Sequence, residues 1–119
     1  MPGRSRIFRG RASQGLVAEF MRSVWPEGKS KEAFLSGVDI ENTPGWRVEV
    51  KGTRDGTLTS AIKQCESHPG EGTPIVIWRP DGYGKERVGE WLVVMRLRDF
   101  RELAAEQATQ DWLEQGRTT

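Results

Sequence analysis

The sequence predicts an α/β domain in which a five-stranded sheet is flanked by helices, in the order helix, three strands, helix, two strands, helix. Three observations predict it. Apolar residues recur at helical spacing near the start, middle and end of the chain, at Leu16, Val17 and Phe20, at Leu58, Ala61 and Ile62, and at Phe100, Leu103 and Ala104. Residues 46–52 alternate, so that Trp46, Val48 and Val50 point to one face and Arg47, Glu49 and Lys51 to the other. Residues 75–78 and 91–95 are apolar at every position, the pattern of strands buried on two sides.

Each element has its own signals. Pro2, Gly3, Arg4, Arg6 and Arg9 show no hydrophobic period, so residues 1–9 read as a flexible basic arm and 10–119 as a single domain. Ser13 is the expected N-cap of a first helix whose stripe is Leu16, Val17, Phe20, Met21 and Val24, and Pro26 with Gly28 ends it. Short strands are expected at 33–36 and 38–42, with Thr43, Pro44 and Gly45 turning the chain into 46–52. The second helix buries Leu58, Ala61, Ile62 and Cys65 and stops by Pro69, which makes Cys65 a packed core residue. A long connection through 80–84 joins the two apolar strands. Asp99 with Glu102 reads as a capping box for a last helix that turns Phe100, Leu103, Ala104 and Trp112 inward.

At 119 residues the chain can bury one core without staples. Its single cysteine rules out an intramolecular disulfide and a cysteine-based zinc site, and suits a reducing compartment. No apolar run is long enough to span a bilayer, so a cytoplasmic protein is expected. No Gly-rich phosphate loop or Ser-His-Asp set is present. His68, followed by Pro69 and Gly70, reads as a surface or helix-end histidine. The net charge is only +1, but it is unevenly placed. Arg4, Arg6, Arg9, Arg11, Arg22, Lys29 and Lys31 face only Glu19 and Glu27 in the first stretch, whereas Asp99, Glu102, Glu106, Asp111 and Glu114 dominate the tail. The asymmetry reads either as an electropositive face for a polyanion or as a solvated terminus.

The chemistry-bearing pattern is Glu49-Val50-Lys51 preceded across a turn by Asp39. On a strand, Glu-x-Lys sets a carboxylate and an ammonium side by side. Asp39 on the neighbouring strand can converge on Glu49, and two carboxylates make a hard-oxygen site suited to magnesium. Taken alone, the same residues are a solvent-facing ion pair beside a turn aspartate. Glu41, on the strand face of Asp39, is a second-rank ligand candidate whose other role is a solvated edge carboxylate.

Asp39 followed by Glu49-Val50-Lys51 resembles the PD-(D/E)XK nuclease signature, and the order of elements resembles the small Holliday junction resolvases of archaea and phages. The resemblance runs from Gly10-Arg11-Ala12-Ser13-Gln14-Gly15 with Glu19, through Gly37-Val38-Asp39-Ile40 and Trp46-Arg47-Val48-Glu49-Val50-Lys51, to Ile75-Val76-Ile77-Trp78-Arg79. It implies a restriction-endonuclease-like fold with a central mixed sheet, a magnesium-dependent endonuclease active on branched or double-stranded DNA in recombination and repair, and a phage-encoded or bacterial origin. The catalytic positions it implies are Glu19, Asp39, Glu49 and Lys51, with the metal, Mg2+ or Mn2+ in its place, held at Asp39, Glu49 and Val50. Gln64 matches a glutamine frequent in the resolvase-like subset, and its other reading is an exposed helical amide. Val38 stands where the signature has proline, a residue that shapes backbone but coordinates nothing. Arg4, Arg6, Arg9, Arg11, Ser13, Lys29, Lys31 and Gln64 are the expected DNA contacts, directed to phosphates and to DNA shape.

Resolving a four-way junction requires two opposed strands to be cut, so a two-fold homodimer is expected, with residues 91–95 and the last helix around Trp112 as adhesive surface. Two other readings remain open: a nuclease of the same fold acting in repair or restriction on another DNA, and a DNA-binding protein of this fold that does not cleave. Cleavage of junction, fork and linear duplex in magnesium discriminates among the three.

Overall fold

The computed structural model describes residues 2–31 and 37–117, and of residues 2–9 and residue 117 the backbone alone. Helix α1 (Pro2–Phe20) begins where a flexible arm was expected. Proline is tolerated in a first turn because its missing N–H would find no partner there, and the arginines that follow Gly3 are good helix formers. Ser13 is therefore not a cap: it lies inside the helix, buried, with its hydroxyl accepting a 2.8 Å hydrogen bond from Arg79 Nη1. The helix also stops before Val24, and reverse turns such as Val24 N–H to Met21 O carry the chain on to the buried Trp25. Val17 and Ala18 form its buried side, while Phe20 and Val24 stay exposed, so the inward stripe is narrower than the apolar pattern.

The sheet has five strands in the order β1 (Lys29–Ser30), β2 (Ile40–Glu41), β3 (Trp46–Gly52), β4 (Thr73–Arg79) and β5 (Leu92–Val94). All neighbours are antiparallel except β3 and β4, which run parallel because helix α2 (Leu58–Ser67) carries the chain back across the sheet between them. The sheet is thus mixed. Strand β1 was not expected, the strand at 38–42 is reduced to β2, and the strand expected at 33–36 lies outside the described residues.

Val48 and Val50 of β3 pack with Ile75 and Ile77 of β4 against Val17, Ala18 and Trp25. On the opposite face, Ala61, Ile62 and Cys65 of α2 cover Val76 and Trp78, while Leu58, expected beside them, is exposed in the first turn. Each fully buried aliphatic side chain contributes about 1.5–3 kcal/mol, so the two clusters hold helices to both faces. This layering places the polar side of β3 beneath α2 rather than in solvent.

Three expectations fail toward the C-terminus. Strand β5 was expected to be central, yet it forms the sheet edge with Leu92 and Val93 exposed. An all-apolar run shows that both faces are apolar, not that both are covered. Helix α3 (Leu97–Arg117) starts two residues before Asp99, which lies in the first turn and is not its cap. Phe100, Leu103, Ala104 and Trp112 do not pack inward: every residue of 100–116 is exposed. The helix leaves the body, and the molecule is 64 Å long against 30 × 26 Å across.

Candidate active site

Asp39 is tied to β3 by its main chain before its side chain acts. Its N–H donates to Val48 O at 2.9 Å, its carbonyl accepts from Lys31 N at 2.8 Å, and its Oδ2 accepts from Val50 N at 2.8 Å. These bonds fix its carboxylate at the edge of β3 beside Glu49. Val50 sends its own side chain into the core, so only its main chain faces the site.

Glu49 shares a strand register with Val76, on the face that α2 covers, and is only 1% exposed. Among the described residues nothing donates a hydrogen bond to either carboxylate oxygen. Burial, then the charge and the closeness of the Asp39 carboxyl, raise its pKa from 4.5 to about 8, against the opposing pull of Lys51. Like charges brought together out of water explain the direction. Lys51, half-buried, follows on the same face of β3.

The imidazole of His68 completes the neighbourhood. His68 caps the C-terminus of α2, and its Nε2 lies 2.7 Å from Glu49 Oε1. The two atoms are at bonding distance, yet neither has a hydrogen bond among the described residues. Arg47, two residues before Glu49, holds the loop that carries His68: its Nε donates to Gly72 O at 2.9 Å and its Nη1 to His68 O at 3.0 Å.

Beyond the carboxyl ends of the parallel strands β3 and β4, where α/β sheets commonly bind ligands, a cleft of about 370 Å3 opens, lined among others by Lys51, Arg54, Arg79 and Tyr83. Arg79 is held over the Trp91 ring at 4.8 Å, with its Nε donating to Tyr83 O at 2.8 Å. The cleft carries Asp55 and Asp81 as well as the three cations, with Arg54 4.0 Å from Asp81, and it reaches the carboxylate strand through Val50 and Lys51.

Compared with protein-family models, curated proteins and solved structures, the chain matches none.

The expected site residues divide in three. Asp39, Glu49 and Lys51 come together. Glu19 lies on the exposed side of α1 and is not among the charged neighbours that set the Glu49 pKa; Glu41 pairs with Lys29 at 3.9 Å, and Gln64 is exposed on α2. Of the expected DNA contacts, Arg11 is exposed and Lys31 half-buried, Ser13 is taken up by Arg79, and the side chains of Arg4, Arg6 and Arg9 lie outside the described residues. Sequence reasoning missed His68, Arg79 and Arg54. Arg79 follows an apolar strand that pairs with the Glu-x-Lys strand, a signal available in advance; the approach of His68 depends on how the α2–β4 loop folds.

Among the described residues no group of three or more His, Cys, Asp or Glu is arranged to hold a metal ion. Two carboxylates remain, with the buried oxygens of Glu49 unbonded. Such a hard-oxygen pair fits magnesium, which keeps several of its waters and takes one or two carboxylates from a protein.

Proposed function

We propose that the protein is a metal-dependent, structure-selective DNA endonuclease of the PD-(D/E)XK type, with a restriction-endonuclease-like fold, that resolves Holliday junctions as a homodimer in the cytoplasm. The observation that carries the reading is Glu49: a carboxyl buried beside a second carboxyl, with no donor to either oxygen. Burying such a group is costly, and perturbed, unsatisfied groups of this kind gather at functional sites.

Asp39, Glu49 and the main chain at Val50 would hold Mg2+ or Mn2+, which when bound supplies a Lewis acid for the phosphodiester and a nucleophile at neutral pH. Lys51 orients the attacking water or neutralises charge developing on the phosphoryl oxygens. Arg54 and Arg79 line the cleft in which the DNA backbone lies and help place the scissile phosphate near Lys51. The α2 layer keeps bulk water from Glu49, which strengthens its attraction for a cation.

The test incubates the pure protein with magnesium on a four-way junction, a Y-fork and linear duplex, with products compared on a denaturing gel. The reading expects paired nicks in opposed junction strands, none in EDTA, and binding without cleavage in calcium. Preferential cutting of linear duplex would replace the resolvase by a repair or restriction nuclease, and binding without cleavage in magnesium or manganese would leave a DNA-binding protein.

A further inference from the structure

The chain contains one histidine, and the fold sets it against the most deeply buried carboxylate. Glu49 Oε1 and Oε2 and His68 Nε2 are all buried atoms without hydrogen bonds, and Oε1 and Nε2 lie 2.7 Å apart. The His68 side chain is 18% exposed and that of Glu49 1%. The encounter is not an accident of a loose loop: the His68 N–H donates to Cys65 O at 3.2 Å, closing α2, while its carbonyl is gripped by Arg47 from the Glu49 strand itself. The backbone of His68 is therefore fixed relative to β3 from both sides.

We propose that His68 is a positioning residue for Glu49, its Nε2–H holding Oε1 so that Oε2 is presented beside Asp39 to a divalent cation. The role rests on the metal-site reading above. The 2.7 Å separation is that of a charge-assisted N–H···O bond. A carboxylate that ligates a metal needs such a partner, because an outer hydrogen bond fixes which lone pair faces the ion. Among the described residues no other side chain donates to Glu49.

Two measurements test this without reference to cleavage. The first is Mn2+ affinity, read from loss of the free-ion electron paramagnetic resonance signal, for wild type, His68→Phe and His68→Gln. The phenylalanine keeps a ring but has no donor, whereas glutamine keeps an N–H near the position of Nε2. Phenylalanine is expected to weaken Mn2+ binding about 10–100-fold, with glutamine recovering most of it. The second uses unaltered protein, so it stands even where a variant fails to fold: the 15N imidazole signals, unambiguous because His68 is the only histidine, are expected to shift as Mg2+ saturates the site. Equal Mn2+ affinity in wild type and His68→Phe, equal weakening by both substitutions, or imidazole signals unmoved at saturation would each overturn the positioning role while leaving the metal site standing. Wild type that binds neither Mn2+ nor Mg2+ would overturn the role together with the nuclease reading.

Discussion

Glu49 makes a statement about pH as well as about chemistry. Its carboxyl titrates near 8 in the folded chain and near 4.5 when unfolded, so between those values the folded state keeps a proton that the unfolded state has released. The group's contribution to stability is therefore fully present below the lower value and is lost as pH rises through the upper one. In the absence of metal, Tm is expected to fall as pH is raised from about 4.5 to above 8, and Glu49→Gln, which cannot ionise, should flatten that fall. Differential scanning fluorimetry in EDTA across this range checks it; parallel curves for the two proteins would show that Glu49 is not the group responsible. At the same scale, Asp39→Asn and Lys51→Ala are expected to reduce single-turnover cleavage by about 100-fold or more while circular dichroism stays unchanged. Glu19→Gln, on the exposed side of α1, should leave cleavage within about twofold, since surface substitutions away from a site are usually near-neutral.

At the scale of elements, the loop between α2 and β4 is where backbone conformation supports the site. Gly72 has φ +107°, and a Cβ there would stand 2.7 Å from Trp46 N and 2.8 Å from Gly45 C, both backbone atoms with little room to retreat. Its carbonyl also receives Arg47 Nε. Gly72→Ala should therefore lower Tm by roughly 5–15 °C, and a thermal melt within a few degrees of wild type would remove the loop from the account. Helix α1 offers a second case. Its N-terminal turns carry Arg4, Arg6 and Arg9 and lie before Val17 and Ala18, the residues that anchor the helix to the core. Deleting residues 2–9 is expected to weaken junction binding and to flatten its dependence on salt, because fewer phosphates are neutralised, while thermal stability changes little. An affinity that keeps its salt slope would show that these arginines do not touch DNA.

At the scale of the whole molecule, α3 presents uncovered apolar side chains from Phe100 onward. Most helical stability in proteins comes from packing of an apolar face, and residues 100–116 of α3 are all exposed. Trp112 is 81% exposed, and Leu113, Phe100 and Leu97 are exposed with it. The helix is rich in Asp and Glu while α1 begins with arginines, so two copies offer each other apolar stripes and opposite charge. A homodimer built through α3 would also supply the two cutting sites that a four-way junction requires. Sedimentation equilibrium at micromolar concentration should give twice the monomer mass, and Trp112→Ser combined with Leu113→Ser should halve it and reduce far-UV helicity. A wild-type monomer with full helicity would contradict this assembly.

The sequence by itself determined the parts of this protein that depend on local period. Alternation in Trp46-Arg47-Val48-Glu49-Val50-Lys51 set β3 and its two faces, and the spacing of Ala61, Ile62 and Cys65 set the buried side of α2, because side-chain direction along a strand or helix follows from backbone geometry alone. The closeness of Asp39 to Glu49 was legible too, since a short turn between neighbouring strands leaves few registers. What only the tertiary structure decided is what covers each apolar or polar face. Residues 91–95 and α3 are apolar enough to be core, yet β5 is an edge and α3 is exposed from Phe100 to Gly116, since period records which side is apolar and not which neighbour arrives there. The burial of Glu49 and the arrival of His68 are of the same kind: both arise when the β3–α2–β4 crossover lays a helix over the polar side of β3, a contact between segments far apart in the chain that no local pattern encodes.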